Sequence, residues 1–160
     1  MSRAQSQSSQ SAGKAGKVGG IAIRERSGAE MQERASAQIR VESGVEGDSR
    51  GKPGKRQVTV LSKDDWEAAC AEVDVVLAWT LRRANLLVEG IDLFTTPGAR
   101  LRVGTALLEV TGETDPCTRM DDTKPGLFAA LEKGSRGGVC CRVIESGFAA
   151  TGDTARWEEA

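Results

Sequence analysis

The chain has 160 residues, enough for one domain with a buried core, and its 39% hydrophobic and 28% charged residues make an ordinary globular balance. A formal net charge of −1 gives no global reason to expect nucleic acid or an acidic membrane surface as a partner. Histidine is absent, which excludes Ser-His-Asp and Cys-His catalysis and imidazole metal sites, and leaves chemistry to Cys, Asp, Glu, Lys, Arg or a bound cofactor.

Residues 1–17 are mostly Ser, Gln, Gly, Ala and Lys, with no acidic residue, and are expected to form a disordered tail ahead of a single domain over residues 18–160. Ile21 and Ile23 alternate with polar neighbours, which predicts a strand over residues 18–26. One or two further strands are expected within 31–41, a Gly-rich charged loop over 44–54, and a strand over 57–61. Ser62 can cap a helix over 63–73, with Asp64 and Asp65 near its positive dipole end and Trp66, Ala69, Cys70 and Val73 on its buried face. Short strands follow over 86–88, 100–103, 107–111 and 139–144. A short helix is expected over 125–133 with Pro125 in its first turn, ended by the glycines of 134–138. Many short strands and few helices argue for a barrel or sandwich.

No apolar signal-peptide core lies near the start and no long apolar span occurs, so free thiols in a reducing cytoplasm, away from any membrane, are expected. The four cysteines, Cys70, Cys117, Cys140 and Cys141, form no Cys-x-x-Cys pair and give no reason to expect structural zinc.

Three polar, Gly-punctuated segments stand out. Gly44-Val45-Glu46-Gly47-Asp48-Ser49-Arg50 is either a solvated turn or a backbone cradle for an anion. In Arg82-Arg83-Ala84-Asn85, arginine forks suit phosphate or carboxylate, although a charged strand edge would look the same. Strand alternation would put Arg83 and Asn85 on one face and Arg82 on the other. In Asp115-Pro116-Cys117-Thr118-Arg119-Met120-Asp121, a loop cysteine lies two residues from an arginine that favours the thiolate, the form that attacks or binds metal. A buried packing role is the bland alternative for Cys117 and the plain reading of Cys70. Adjacent Cys140 and Cys141 point to opposite faces of a strand: one is core, and the other could serve Cys117 as a resolving thiol.

Taken together and in order, GVEGDSR, RQVTVLSKDDWE, RRANLLVEGIDL, GARLRVGTALLEVTGETDPCTRMD, PGLFAAL and GGVCCRVIESG resemble the MOSC family, named after the carboxy-terminal domain of molybdenum-cofactor sulfurase. The resemblance covers roughly residues 18–153, and the block from Arg82 to Asp121 is its most specific part. It implies a mainly β fold, a closed barrel like that of pyruvate kinase, with a few short helices. It also implies that Cys117 is the family cysteine, proposed either to ligate the molybdenum of a molybdopterin cofactor or to carry a persulfide. Arg82, Arg83, Asn85 and Arg119 would then hold the cofactor, with Gly47, Asp48 and Asp121 in the same cavity. Many members have a histidine after the Gly-Asp-Arg of the first motif; here the turn is Asp48-Ser49-Arg50, so any role of that imidazole has no counterpart. At this length neither the amino-terminal barrel of larger members nor the aminotransferase-like domain of fused sulfurases is expected, and pyridoxal phosphate would belong to a separate partner enzyme.

Three functions follow from the resemblance. A molybdenum-cofactor protein would use Cys117 as metal ligand and reduce N-hydroxylated or related substrates with electrons from a donor protein. A sulfur carrier would load Cys117 from a cysteine desulfurase and pass the sulfur to a metal centre. A non-catalytic module would only hold the cofactor or another anion.

Overall fold

A computed structural model describes residues 15–114, 116 and 119–159. Alternating apolar residues in short strands build most of it. The strands are β1 (Ala15–Ile23), β2 (Gln32–Arg34), β3 (Ser36–Arg40), β4 (Gly44–Val45), β5 (Val58–Ser62), β6 (Leu86–Glu89), β7 (Arg100–Val103), β8 (Ala106–Glu113), β9 (Val139–Glu145), β10 (Gly147–Ala150) and β11 (Thr154–Glu158). The α-helices are α1 (Lys63–Glu72), α2 (Met120–Thr123) and α3 (Leu127–Glu132), with single 3₁₀ turns at Trp79–Arg82 and Lys133–Ser135.

Among the described residues, seven strands close a barrel in the order β11-β7-β8-β9-β5-β6-β1, because β1 also pairs with β11; β2 extends the sheet beyond β1. Within the ring only β5 and β6 are parallel, and α1 supplies the crossover that a parallel pair needs. A smaller sheet in the order β10-β3-β4 adds Ile39, Val45 and Ala149 to the barrel core, where they join Ile21, Val60, Leu86, Leu101, Leu108 and Cys141. A second apolar cluster covers the outside of the wall: Leu61 and Leu87 pack against Trp66, Ala69 and Cys70 of α1 and Leu127 and Leu131 of α3. The mainly β, closed-barrel expectation is thus met.

The elements differ from expectation in instructive places. The first strand runs over Ala15–Ile23 rather than 18–26: Ala15, Gly16 and Lys17 pair with Arg156, Ala155 and Thr154, so the expected tail gives up its last three residues to the closing seam. The rest of that tail lies outside the described residues. Gly44–Val45, expected as loop, pair with Arg40 and Ile39. Strands β10 and β11 are additions to the expected set. Ser62 caps α1 as expected, its Oγ accepting from the Asp65 N–H at 3.1 Å. Gly126, at φ 92°, precedes α3, which leaves Pro125 ahead of the cap instead of in the first turn.

Two polar links hold the frame. Gln57, 2% exposed, donates through Nε2 to the Val41 and Gly51 carbonyls at 2.7 and 3.0 Å and accepts the Val143 N–H at 2.8 Å. It binds the barrel wall to the loop that precedes β5. Across the seam, Arg102 of β7 clamps Glu158 of β11 through Nε and Nη2 at 2.7 and 3.0 Å and also reaches Glu145 at 3.0 Å. Hydrogen bonding to Arg102 holds the Glu158 carboxyl below the usual glutamate range.

Gln57→Ala removes the side-chain partner of three backbone groups, two of them in buried bonds, and is expected to cost on the order of 3 kcal/mol in urea unfolding at neutral pH; a loss under about 0.5 kcal/mol, the size of a plain surface substitution, would remove it from the frame. Because the Glu158 pKa is depressed in the folded chain, its contribution is complete above the unfolded carboxylate pKa and fades as pH falls through the folded one. Glu158→Gln should therefore lower Tm at pH 7, and the gap to wild type should shrink as pH drops below about 4. A gap that is constant with pH would contradict the clamp.

Candidate functional site

At one side of the barrel the loop preceding β5, the turn before β6 and the segment after β8 surround a cavity of about 670 Å³. Among the described residues five arginines line it, Arg50, Arg56, Arg82, Arg83 and Arg119, together with one carboxylate, Glu30. Thr59, Thr80 and Thr114 add hydroxyl-bearing side chains, and Met120 and Leu81 supply apolar wall. Guanidinium groups lining one hollow make a site suited to an oxyanion-bearing ligand.

Each arginine is placed by a local device. Arg82 ends the 3₁₀ turn, and its Nη2 donates to the Thr114 carbonyl at 3.2 Å and the Gly137 carbonyl at 2.9 Å, tying the turn to the end of β8 and the approach to β9. Arg83 caps the turn in the left-handed region, φ 63° and ψ 30°, its N–H bonded to the Thr80 carbonyl. This conformation costs an ordinary L-residue of order 1 kcal/mol. It also changes the expected facing: Arg82 and Arg83 precede β6 and both line the cavity, where strand alternation had put them on opposite sides.

Asn85 is placed differently from the arginines. It is 5% exposed and stitches the wall: Oδ1 accepts the Thr59 N–H at 3.1 Å, and Nδ2 donates to the Ala22 carbonyl at 3.2 Å. It joins β1 to β5 and is not among the lining residues. Gly47 and Asp48 also stand behind the cavity. Gly47 has φ 92°, and a Cβ there would meet Ile23 Cδ1 at 2.9 Å, so the turn needs glycine. Asp48 accepts the Arg24 N–H at 2.9 Å through Oδ1 and the Arg50 N–H at 3.1 Å through Oδ2. It pins the arginine-bearing backbone and takes no place on the lining. Asp121 Oδ1 accepts the Gly126 and Phe128 N–H groups at 3.2 and 3.0 Å, which fixes the start of α3.

Cys117 lies outside the described residues. Its chain neighbours Thr114 and Arg119 both line the cavity. Of the other cysteines, Cys70 is buried on α1, and burial pushes its thiol pKa up. Cys141 is in the barrel core, where desolvation raises its thiol far above the ordinary range. Cys140, on the opposite face of β9, is 6% exposed with Sγ 3.2 Å from Thr114 Oγ1. Among the described residues no group of three or more Cys, Asp or Glu side chains could hold a metal ion.

Arg50, Arg56, Thr59 and Thr80 complete the lining beyond the expected set. Arg50 closes the first polar segment, and Arg56 ends the basic stretch RGKPGKR, which was a usable signal. Thr59 and Thr80 carry no distinguishing local pattern.

The model of the MOSC domain matches residues 24–156. Among solved structures, the YuaD protein from Bacillus subtilis is similar with a TM-score of 0.73 at 20% identity, over 91% of this chain and 97% of that one. YiiM from Geobacillus stearothermophilus gives 0.70 at 14% identity over 90% and 75% of the two chains. YiiM from Escherichia coli gives 0.64 at 14% over 90% and 70%. Identities this low speak for a shared fold alone. Curated proteins contain no match to the sequence. The family match spans most of the chain, from Arg24 through the barrel to Arg156, and the protein belongs to the MOSC domain family.

Proposed function

We propose that the protein binds the molybdenum cofactor in the arginine cavity, with Cys117 as ligand to the metal, and reduces N-hydroxylated or related substrates with electrons from an external donor. The observation that carries this reading is the cavity lined, among the described residues, by five arginines and also by Thr114 and by Arg119's neighbour Met120, which with Pro116 bracket Cys117 in sequence.

The residues present suit such a group. Its phosphate asks for charge-assisted donors, and Arg82, Arg83 and Arg119 supply them. Hydrogen-bonding edges of the pterin can be met by the hydroxyls of Thr59 and Thr80. A thiolate suits a thiophilic metal, and cations nearby favour that form of a cysteine. The cofactor, when bound, would supply the redox chemistry. The chain's own part is to bind it, orient it and set the charge around it. Asn85, Asp48 and Gly47 serve by keeping the backbone under the arginines rigid. No described helix is long and apolar enough to cross a membrane, and a reducing cytoplasm would keep Cys117 available as a thiol.

The test is expression in a host that makes molybdopterin, followed by measurement of bound molybdenum and pterin. One equivalent of each is expected in the wild type. Cys117→Ser should lose the metal, and Arg83→Ala, which deletes a charged donor, should weaken pterin retention by roughly 10-fold or more. A protein without metal that acquires a persulfide on Cys117 from a cysteine desulfurase would be a sulfur carrier instead. Absence of metal, pterin and persulfide alike would leave a binding module.

A further inference from the structure

A second hollow, of about 610 Å³, lies against α1. Lys63, Trp66, Glu67, Cys70 and Ala71 of the helix, with Asp74 just beyond it, recur at helical spacing and line one side. Chain segment 75–79 and Leu87 of β6 line the rest. None of these residues lines the arginine cavity, although Thr80, next to Trp79, does.

The hollow is held in shape by bonds that do not depend on what fills it. Asp74, at φ 59°, turns the chain back over the helix. Its N–H donates to the Ala71 carbonyl and the Val75 N–H to the Cys70 carbonyl, both at 3.1 Å. Trp66 Nε1 then donates to the Leu77 carbonyl at 2.9 Å and fastens the returning segment. Trp79 packs on β1, where a Cβ added to Gly20 would meet its ring at 2.7 Å, so the barrel wall sets the indole. Val76, on the same segment, is 97% exposed, whereas Val41, Leu81 and Phe148 are 42–43% exposed. Apolar surface left open beside a formed hollow marks a place where an apolar body binds.

The charged part of the lining selects the sign of that ligand. Glu67 and Asp74 contribute exposed carboxylates, and Lys63 stands 3.8 Å from the carboxylate of Glu89, which is not on the lining. Indole faces and carboxylates around one volume suit a cation carried on an apolar body. We propose that this hollow binds a small organic cation, an ammonium on an aromatic or branched aliphatic group, with the apolar part against Trp79, Leu77 and Leu87 and the charge beside Glu67 and Asp74. The proposal uses neither the arginine cavity nor a metal, so it stands or fails apart from the cofactor reading.

The experiment is calorimetric titration of the purified full chain with phenethylammonium chloride, with neutral 2-phenylethanol as the comparison. Saturable binding of the ammonium, tighter than that of the alcohol and weakened by added salt, is expected. The double variant Glu67→Gln with Asp74→Asn alters surface positions only, and asparagine tolerates the left-handed backbone at residue 74. It should weaken ammonium binding by roughly 5-fold or more and leave the alcohol unchanged. Trp79→Leu should weaken both; should that variant not fold, the double variant carries the test. Absence of saturable ammonium binding, equal affinity for ammonium and alcohol, or an unaltered affinity in the double variant overturns the proposal. A dimer in sedimentation that Val76→Glu dissociates would place a second copy of the chain on this face and overturn it as well.

Discussion

Guanidinium groups gathered around one hollow repel one another, and the protein must hold them there against that repulsion. Backbone hydrogen bonds and barrel closure contribute to this. Asp48 fixes Arg24 and Arg50 through main-chain N–H groups. Arg82 is anchored on the Thr114 and Gly137 carbonyls. Arg83 is set by a left-handed turn, and Asn85 locks the strands beneath it. A fixed array of donors in a partly enclosed site is worth more to an anion than the same groups on mobile side chains, because little reorganisation remains to be done on binding.

The overall charge of −1 hides this arrangement. Acidic residues are spent on the outer wall and the seam, where Glu109, Glu145 and Glu158 meet Arg100, Arg142 and Arg102. Glu72 meets Lys133 and Arg136 beside α3. The more exposed of these pairs, such as Lys133–Glu72, add little stability each. Among the described residues the cavity gathers five arginines, with Glu30 as the carboxylate on its lining.

Cys140 and Cys141 show how the barrel sorts thiols. Adjacent in β9, they fall on opposite faces, and the one that faces the core is held as a neutral, inert group by desolvation. Cys140, in contact with Thr114, lies behind a residue of the cavity wall. The proposed sulfur chemistry is accordingly assigned to Cys117, whose sequence neighbours are polar and cationic.

Local patterns in the sequence were enough for the mainly β class, the α1 cap at Ser62, the buried face with Trp66, Ala69 and Cys70, and most strands of the barrel, because alternation and capping are short-range signals. The motif order was enough for the family, and the arginines at 82, 83 and 119 stood out as anion-binding residue types. Only the tertiary structure decided which polar residues face the cavity and which hold up its wall. Asn85 and Asp48 have the same hydrogen-bonding chemistry whether they meet a ligand or a backbone amide, and partners 26 and 24 positions away in the chain settle the matter. Closure was decided there too: Ala15, Gly16 and Lys17 look like tail until β11 supplies an edge for them, since pairing between the two ends of a chain leaves no trace in either end alone.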